Sequence, residues 1–132
     1  FDLFHIGHLN MFKRAKEQCR YLIVGVVSDE GVRLNKQAEP FVPFDERIEM
    51  VRSCKYVDEA IKLPLDFCGT RDMFKIYHFD VQFSGSDYEH DPAWLAEKEF
   101  LEKNGSTMVF FPYTQSTSST KLKRAIENRI NN

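Results

Sequence analysis

Apolar residues recur along the chain at two alternating spacings. Over about Gly7 to Cys19 they fall every three or four residues, which predicts a helix with one buried face. Tyr21 to Val27 is a continuous apolar run rich in β-branched residues, typical of a strand covered on both faces. The polar segment from Glu30 to Pro43 is expected to be a loop. The same patterns predict further strands at Tyr56–Leu63, Asp80–Phe83 and Thr107–Phe111, and further helices at Asp45–Cys54, Asp66–Tyr77, Asp91–Lys103 and from Ser118 onward.

The alternation of helices and strands predicts right-handed β-α-β units, and therefore an α/β fold with a parallel sheet and helices on both faces. A β-α-β unit needs a strand that leads into the first helix, and none precedes Gly7. We expect that strand to lie upstream, over roughly six to ten residues. The predicted fold is a Rossmann-like, doubly wound parallel five-stranded sheet whose first strand is missing from this chain. No repeat or linker marks a second domain, so residues 1–132 are predicted to form a single domain.

Ligands of such sheets bind beyond the carboxyl ends of the strands. Three predicted loops, Ser28–Pro43, Ser84–Asp87 and Pro112–Thr120, each follow a strand. They should therefore share one edge of the sheet with the start of the first helix.

Composition narrows the class of function. There are 18 Lys and Arg against 20 Asp and Glu, a net charge of −2, so no overall positive field indicates nucleic acid. No apolar run approaches the ~18 residues of a membrane span, and no signal peptide is visible, so we expect no membrane insertion. Cys19, Cys54 and Cys68 show no C-x-x-C spacing. We expect three reduced thiols in a cytoplasmic protein.

The most informative residues are His5-Ile6-Gly7-His8, at the start of the first predicted helix. Two side chains three residues apart on a helix share a face. The unpaired backbone N–H groups and the positive end of the helix dipole already favour an anion there. Gly7 has no Cβ, so a phosphate can approach the backbone closely. The pattern predicts a phosphate site.

This H-x-G-H motif resembles the signature of the nucleotidyltransferase superfamily. Phe1-Asp2 before it and Ser118-Ser119-Thr120-Lys121 near the other end make the chain similar to the cytidylyltransferases, and most like the bacterial glycerol-3-phosphate cytidylyltransferases. The resemblance implies transfer of CMP from CTP to a phosphorylated alcohol, with sn-glycerol 3-phosphate as the first candidate. It also implies Mg²⁺ carried mainly by the nucleotide, and a homodimer.

The resemblance also implies roles for single residues. His5 and His8 would donate hydrogen bonds to the triphosphate as negative charge shifts during transfer. Lys36 would reach the phosphates, with Arg33 as a nearby substitute. Arg47 would bind the acceptor phosphate, because its planar fork suits two oxygens. Nucleotide contacts are implied at the two histidines and at Phe1, Asp2, Asp87, Thr114, Ser118, Ser119 and Thr120.

Simpler explanations exist for several of these residues. Lys36 would otherwise be a solvated loop lysine, and Arg47 an exposed helical arginine paired with Glu46 or Glu49. Ser118 also suits a plain helix N-cap, and Asp2 a cap of the first helix. Gly85-Ser86-Asp87-Tyr88 would otherwise be a turn.

The chain departs from the family pattern at Tyr113 and Gln115, where an arginine and a glutamate are usual. One charge of each sign is lost, which puts the acceptor in doubt more than the reaction. Two alternatives therefore stay open. One keeps the chemistry with ATP or another phosphorylated alcohol or sugar. The other is a non-catalytic nucleotide-binding domain of a larger polymer-synthesising protein.

Overall fold

The computed structural model describes residues 3–36, 39–63, 69–86, 89–112 and 118–131, without the side chains of residues 35, 36 and 119. The helices are α1 (Ile6–Glu17), α2 (Asp29–Lys36), α3 (Phe44–Arg52), α4 (Thr70–Tyr77), α5 (Pro92–Lys103) and α6 (Ser119–Asn131). The strands are β1 (Ile23–Val27), β2 (Glu59–Leu63), β3 (Val81–Gly85) and β4 (Thr107–Phe111). None of these helices has the length and apolarity that crossing a membrane requires.

The chain divides into two compact units, of which the first contains α1, β1, α2, α3, β2 and α6. Strands β1 and β2 are parallel, with Ile23 opposite Glu59 and Val27 opposite Leu63. Helix α3 packs on both strands. Its Val51 is fully buried, as is Val26 of β1, because Ile48 and Val51 share the face that meets the sheet. This core fixes the carboxyl end of β1, from which α2 departs.

The second unit contains α4, β3, α5 and β4. Strands β3 and β4 are parallel, with Val81 opposite Thr107 and Gly85 opposite Phe111. Helix α5 packs on β4 and places the fully buried Leu101 in the core. Asp91 caps this helix by accepting a hydrogen bond from the Ala93 N–H, as the Asp-Pro start predicts.

The predicted α/β class with parallel strands is confirmed, and all four strands expected within the chain are present. Five strands are not confirmed, since four lie within the described ranges and form two separate pairs, β1 with β2 and β3 with β4. The single domain over residues 1–132 and the strand upstream of it stay predictions. Cys19 and Cys54 are free thiols, as expected. Cys68 lies outside the described residues.

The prediction of a loop over Glu30 to Pro43 was wrong, because its first part is the helix α2. Ser28 begins this helix: its Oγ accepts a hydrogen bond from the Gly31 N–H at 3.0 Å, and its carbonyl accepts one from the Val32 N–H at 2.9 Å. Because the helix is polar and contains a glycine, it has too few apolar residues to show helical spacing in the sequence. The signal that was available is Ser28 followed by two acidic residues, a typical helix start.

Asp58 links α1 to the starts of both strands of the first unit. Its carboxylate accepts hydrogen bonds from Lys16 Nζ and from the Leu22 N–H, and the Leu22 carbonyl accepts from the N–H groups of Asp58 and Glu59. The hydrogen bond from Lys16, followed by the one from the Leu22 N–H, lowers the pKa of Asp58. Because the folded pKa lies below the unfolded one, the ionised carboxylate stabilises the fold above the unfolded pKa of about 3.9 and loses that effect as pH falls further.

We therefore expect Asp58→Asn to lower the urea midpoint at pH 7, and this difference from the wild type to shrink steadily below about pH 4. Asparagine keeps an acceptor for the Leu22 N–H, so the variant removes mainly the charge. Urea unfolding followed by circular dichroism between pH 3 and 7 measures the difference. A difference in urea midpoint that stays constant over that range would show that ionisation of Asp58 does not contribute to stability.

Candidate functional site

The start of α1 is built from its two histidines. His5 is the N-cap, with extended backbone angles (φ −144°, ψ −179°), and its Nδ1 accepts a hydrogen bond from the Gly7 N–H at 2.9 Å. In return the His5 N–H donates to His8 Nδ1 at 3.2 Å. This is a reciprocal capping box in which two imidazoles take the places usually held by serine and glutamate. Two of the backbone N–H groups at this end are thereby satisfied by imidazole side chains.

The capping box fixes the protonation pattern of both rings. An Nδ1 that accepts a hydrogen bond carries no proton, so each neutral imidazole carries its proton on Nε2, a tautomer assigned from the hydrogen-bond network. The two ring centroids are 4.0 Å apart with an interplanar angle of 34°. The Phe4 ring packs against His8, with centroids 5.5 Å apart. The pair therefore places two Nε2–H donors of fixed orientation at one helix end.

Electrostatics at this helix end favour an anion. The first turn of α1 contains no acidic residue, so nothing in that turn neutralises the positive end of the helix dipole. Burial lowers the pKa of His5, which keeps its imidazole neutral at pH 7 and its Nδ1 able to accept. The amide dipole and the two imidazole donors together fit a phosphate group.

A second helix start in the same unit has similar character. Ser118 Oγ accepts a hydrogen bond from the Lys121 N–H at 3.1 Å, and the Ser118 carbonyl accepts one from the Leu122 N–H at 3.0 Å. The prediction that Ser118 caps the last helix is confirmed. The first turn of α6 also lacks acidic residues, and Thr120 within it is exposed. This end of α6 also suits an anion.

Arg47 is not the exposed, glutamate-paired helical arginine of the simpler explanation. Its side chain is 2% exposed, and its guanidinium forms an ion pair with Asp29 at 2.7 Å rather than with Glu46 or Glu49. Nε donates to the Val42 carbonyl and Nη1 to the Val27 carbonyl. The hydrogen bond from Arg47 lowers the pKa of Asp29 and keeps it ionised. Direct contact with an acceptor phosphate stays a prediction, and it would have to use guanidinium N–H groups beyond these three.

The cations near α2 are only partly described. Lys36 is the last residue of the helix, and its side chain lies outside the described part of the chain. Arg33 Nε donates to Glu39 at 2.8 Å in an exposed ion pair. Phe1, Asp2, Asp87 and Thr114 also lie outside the described residues, as does the side chain of Ser119. Their predicted contacts with the nucleotide stay predictions.

The donor set fits phosphate better than a metal ion. Within the described ranges, no three His, Cys, Asp or Glu side chains are grouped so as to hold a metal. The residue that sequence reasoning missed is Asp29. Its only signal was its place after Ser28, at a predicted strand end.

Comparison with known proteins extends over nearly the whole chain. The family model described as cytidylyltransferase-like matches residues 1–125. The FAD synthase of Thermococcus kodakarensis is 36% identical over 135 residues, which cover 98% of this chain and 87% of the relative. The glycerol-3-phosphate cytidylyltransferase of Bacillus subtilis is 32% identical over 126 residues, which cover 96% of this chain and 91% of the relative.

A solved structure has the same fold. The lipopolysaccharide core biosynthesis protein from Thermoplasma volcanium GSS1 matches with a TM-score of 0.68 and 25% identity, over 89% of this chain and 92% of that one. The resemblance carried by the H-x-G-H motif and the Ser-Ser-Thr-Lys segment is thereby confirmed. The chain belongs to the cytidylyltransferase-like family of nucleotidyltransferase enzymes.

Proposed function

We propose that this enzyme transfers CMP from CTP to a phosphorylated alcohol, with sn-glycerol 3-phosphate as the first candidate acceptor. The observation that carries the proposal is the histidine capping box at the start of α1, which orients two Nε2–H donors beside a helix N-terminus. Support for the acceptor comes from the relative named glycerol-3-phosphate cytidylyltransferase, of which this chain covers 91%.

In the proposed reaction an oxygen of the acceptor phosphate attacks the α-phosphorus of CTP. The new phosphorus–oxygen bond forms as the bond from the α-phosphorus to the bridging oxygen breaks, and pyrophosphate leaves with that oxygen. No covalent enzyme intermediate is needed, so the protein contributes positioning and charge stabilisation. Mg²⁺, held by the nucleotide phosphates and water, would neutralise part of the triphosphate charge.

Different residues of this chain supply the positioning and the charge stabilisation. Nε2–H groups of His5 and His8 donate to the phosphate oxygens on which charge increases. Helix α6 would hold the nucleotide phosphates through Ser118, Ser119 and Thr120. Lys36 adds a mobile positive charge. A homodimer and a cytoplasmic location are part of the same proposal.

A second candidate is adenylyl transfer from ATP. The observation that favours it is the FAD synthase relative, which is 36% identical against 32% for the glycerol-3-phosphate cytidylyltransferase. FAD contains an adenylyl group joined to a flavin phosphate, so its synthesis from ATP belongs to the same reaction class. The proposed contacts of the two histidines and of α6 are with phosphate groups, which CTP and ATP share, so they suit either nucleotide.

Pyrophosphate release by the purified protein with Mg²⁺ tests both candidates. Four nucleoside triphosphates are each combined with glycerol 3-phosphate, ethanolamine phosphate and FMN, with His8→Ala as the background control. Turnover confined to CTP and glycerol 3-phosphate supports the first proposal, and turnover with ATP and FMN supports the second. Nucleotide binding without turnover on any acceptor would contradict both and indicate a non-catalytic domain.

A further inference from the structure

The carboxylate of Asp29 joins two helices of the first unit. Asp29 is the first residue of α2, and its Oδ1 accepts a hydrogen bond from Arg47 Nη2 at 2.7 Å. Its Oδ2 accepts one from the N–H of Phe44, the first residue of α3, at 3.2 Å. The N-cap of α3 is Pro43, which offers no side-chain hydrogen bond. Asp29 therefore supplies from α2 the cap that α3 lacks.

The guanidinium of Arg47 extends this link to the sheet. Nη1 donates at 2.8 Å to the carbonyl of Val27, the last residue of β1, and Nε donates at 2.9 Å to the Val42 carbonyl just before α3. The Arg47 side chain is 2% exposed, so its guanidinium nitrogens need partners inside the protein, and each of the three has one. The end of β1 and the starts of α2 and α3 thus meet at one ion pair.

Few apolar side chains hold α2 in place. The helix has eight residues and only two apolar positions, of which Val32 is buried and Leu34 is 67% exposed. So short and polar a helix has little apolar packing of its own to hold it. Lys36, the cation that the proposed function assigns to the phosphates, is its last residue.

We propose that Arg47 and Asp29 form a positioning pair that holds α2 at the carboxyl end of β1, and thereby places Lys36 for phosphate binding. This inference rests on the proposed function. It assigns Arg47 a positioning role through Asp29, in place of direct contact with the acceptor. Asp29 is negative, so a role that helps to bind a polyanion has to come from the position it imposes and not from its charge.

The test compares two substitutions in the first turn of α2. Asp29→Asn breaks the pair, whereas Glu30→Gln makes the same charge change at an exposed neighbour with no assigned role. We expect Asp29→Asn to lower kcat/KM for CTP by about tenfold, since a small misplacement of a binding group has effects of that order or larger. Glu30→Gln should leave it within about twofold. If Arg47 binds the acceptor directly, the loss in Asp29→Asn would instead fall on kcat/KM for the acceptor and leave kcat/KM for CTP within about twofold.

A double-variant cycle tests whether the pair acts through Lys36. In a Lys36→Met background, Asp29→Asn should change kcat/KM by less than about twofold, because the group that it misplaces has already been removed. An undiminished tenfold loss in that background would overturn the proposal. Arg47→Lys, which keeps the charge but not the three-way fork, should behave like Asp29→Asn.

Hydrogen exchange separates failure of this inference from failure of the proposed function. The amides of residues 29–36 should exchange faster in Asp29→Asn than in Glu30→Gln, whatever the substrate is. If the wild type shows no turnover with any acceptor, CTP binding replaces kcat/KM in the same set of variants. Faster exchange with unchanged activity or CTP binding would overturn the positioning role, and so would unchanged exchange.

Discussion

His5→Ala and His8→Ala are each expected to lower kcat by about 10²–10⁴-fold, the scale on which enzymes lose rate when a positioned donor is removed. The physical reason is the capping box, in which each Nδ1 accepts a backbone N–H and the proton of each neutral ring therefore lies on Nε2. Pyrophosphate release under single-turnover conditions measures the effect on chemistry without interference from product release.

The alanine variants also remove helix caps, so they need matched controls. His5→Asn keeps an N-cap acceptor for the Gly7 N–H, and His8→Gln keeps an acceptor at the third helical position for the His5 N–H. Both should unfold close to the wild-type temperature, whereas His5→Ala should lose about 1 kcal/mol of stability. We expect His5→Asn and His8→Gln to be nearly as slow as the alanine variants. Near-normal turnover in either would remove that imidazole from the mechanism and leave it a cap alone.

The pH dependence of stability tests the neutral state of His5. Burial lowers its folded pKa, so in the unfolded chain His5 binds a proton at about pH 6.5 while the folded ring is still neutral. The stabilisation from its neutral cap is therefore complete above about pH 6.5 and declines as pH falls below it. In thermal unfolding between pH 5 and 8, the unfolding temperature of the wild type should match that of His5→Asn on the alkaline side and fall below it on the acid side. A wild-type unfolding temperature that rose relative to His5→Asn on acidification would mean a protonated cap.

Much of the fold could be predicted from local patterns, because a strand that lies in a continuous apolar run can be recognised from adjacent residues of the sequence. Ile23–Val27 and Thr107–Phe111 lie within such runs. Helix α2 was missed because its start depends on one hydrogen bond, from the Gly31 N–H to Ser28 Oγ, and on contacts with α3 rather than on apolar spacing. The upstream limit of β2 was misplaced for a similar reason. Val57 and Asp58 donate to the carbonyls of Cys54 and Leu22 in the turn before the strand.

The part of the candidate site that depends on the spacing of residues in the sequence could be predicted. A separation of three residues places His5 and His8 on one helix face, and their rings are indeed 4.0 Å apart. Their mutual capping could not be foreseen, because it depends on the extended backbone of His5. The ion-pair partner of Arg47 could not be foreseen, because Asp29 and Val27 are 18 and 20 residues away in sequence, whereas the pattern offered only nearby glutamates. A polar pair between residues far apart in the sequence produces no periodic pattern from which it could be predicted.

Ser118→Asp is expected to lower kcat/KM for CTP by about 10²-fold without loss of stability. Aspartate caps a helix as well as serine does and interacts favourably with the dipole, so α6 should keep its start, where Ser118 Oγ now accepts from the Lys121 N–H. A triphosphate held there would face a new negative charge. At ~4 Å and an effective dielectric constant of about 20, one pair of unit charges repels by roughly 4 kcal/mol, enough for a loss of that size after screening.

Two control variants distinguish the effect of the new charge from the effect of changing the helix cap, and test whether the position of the charge in α6 matters. Ser118→Asn caps without a charge and should stay within about threefold of the wild type in kcat/KM for CTP. Asn128→Asp adds the same charge at an exposed position nine residues beyond the start of α6 and should have no effect, since such interactions are screened over about 10 Å. Initial rates over a range of CTP concentrations at fixed acceptor, with thermal unfolding as the stability control, give the comparison. If Ser118→Asp were as stable and as efficient as the wild type, Ser118 would be a cap and nothing more. The triphosphate would then have to be held without the N-terminus of α6.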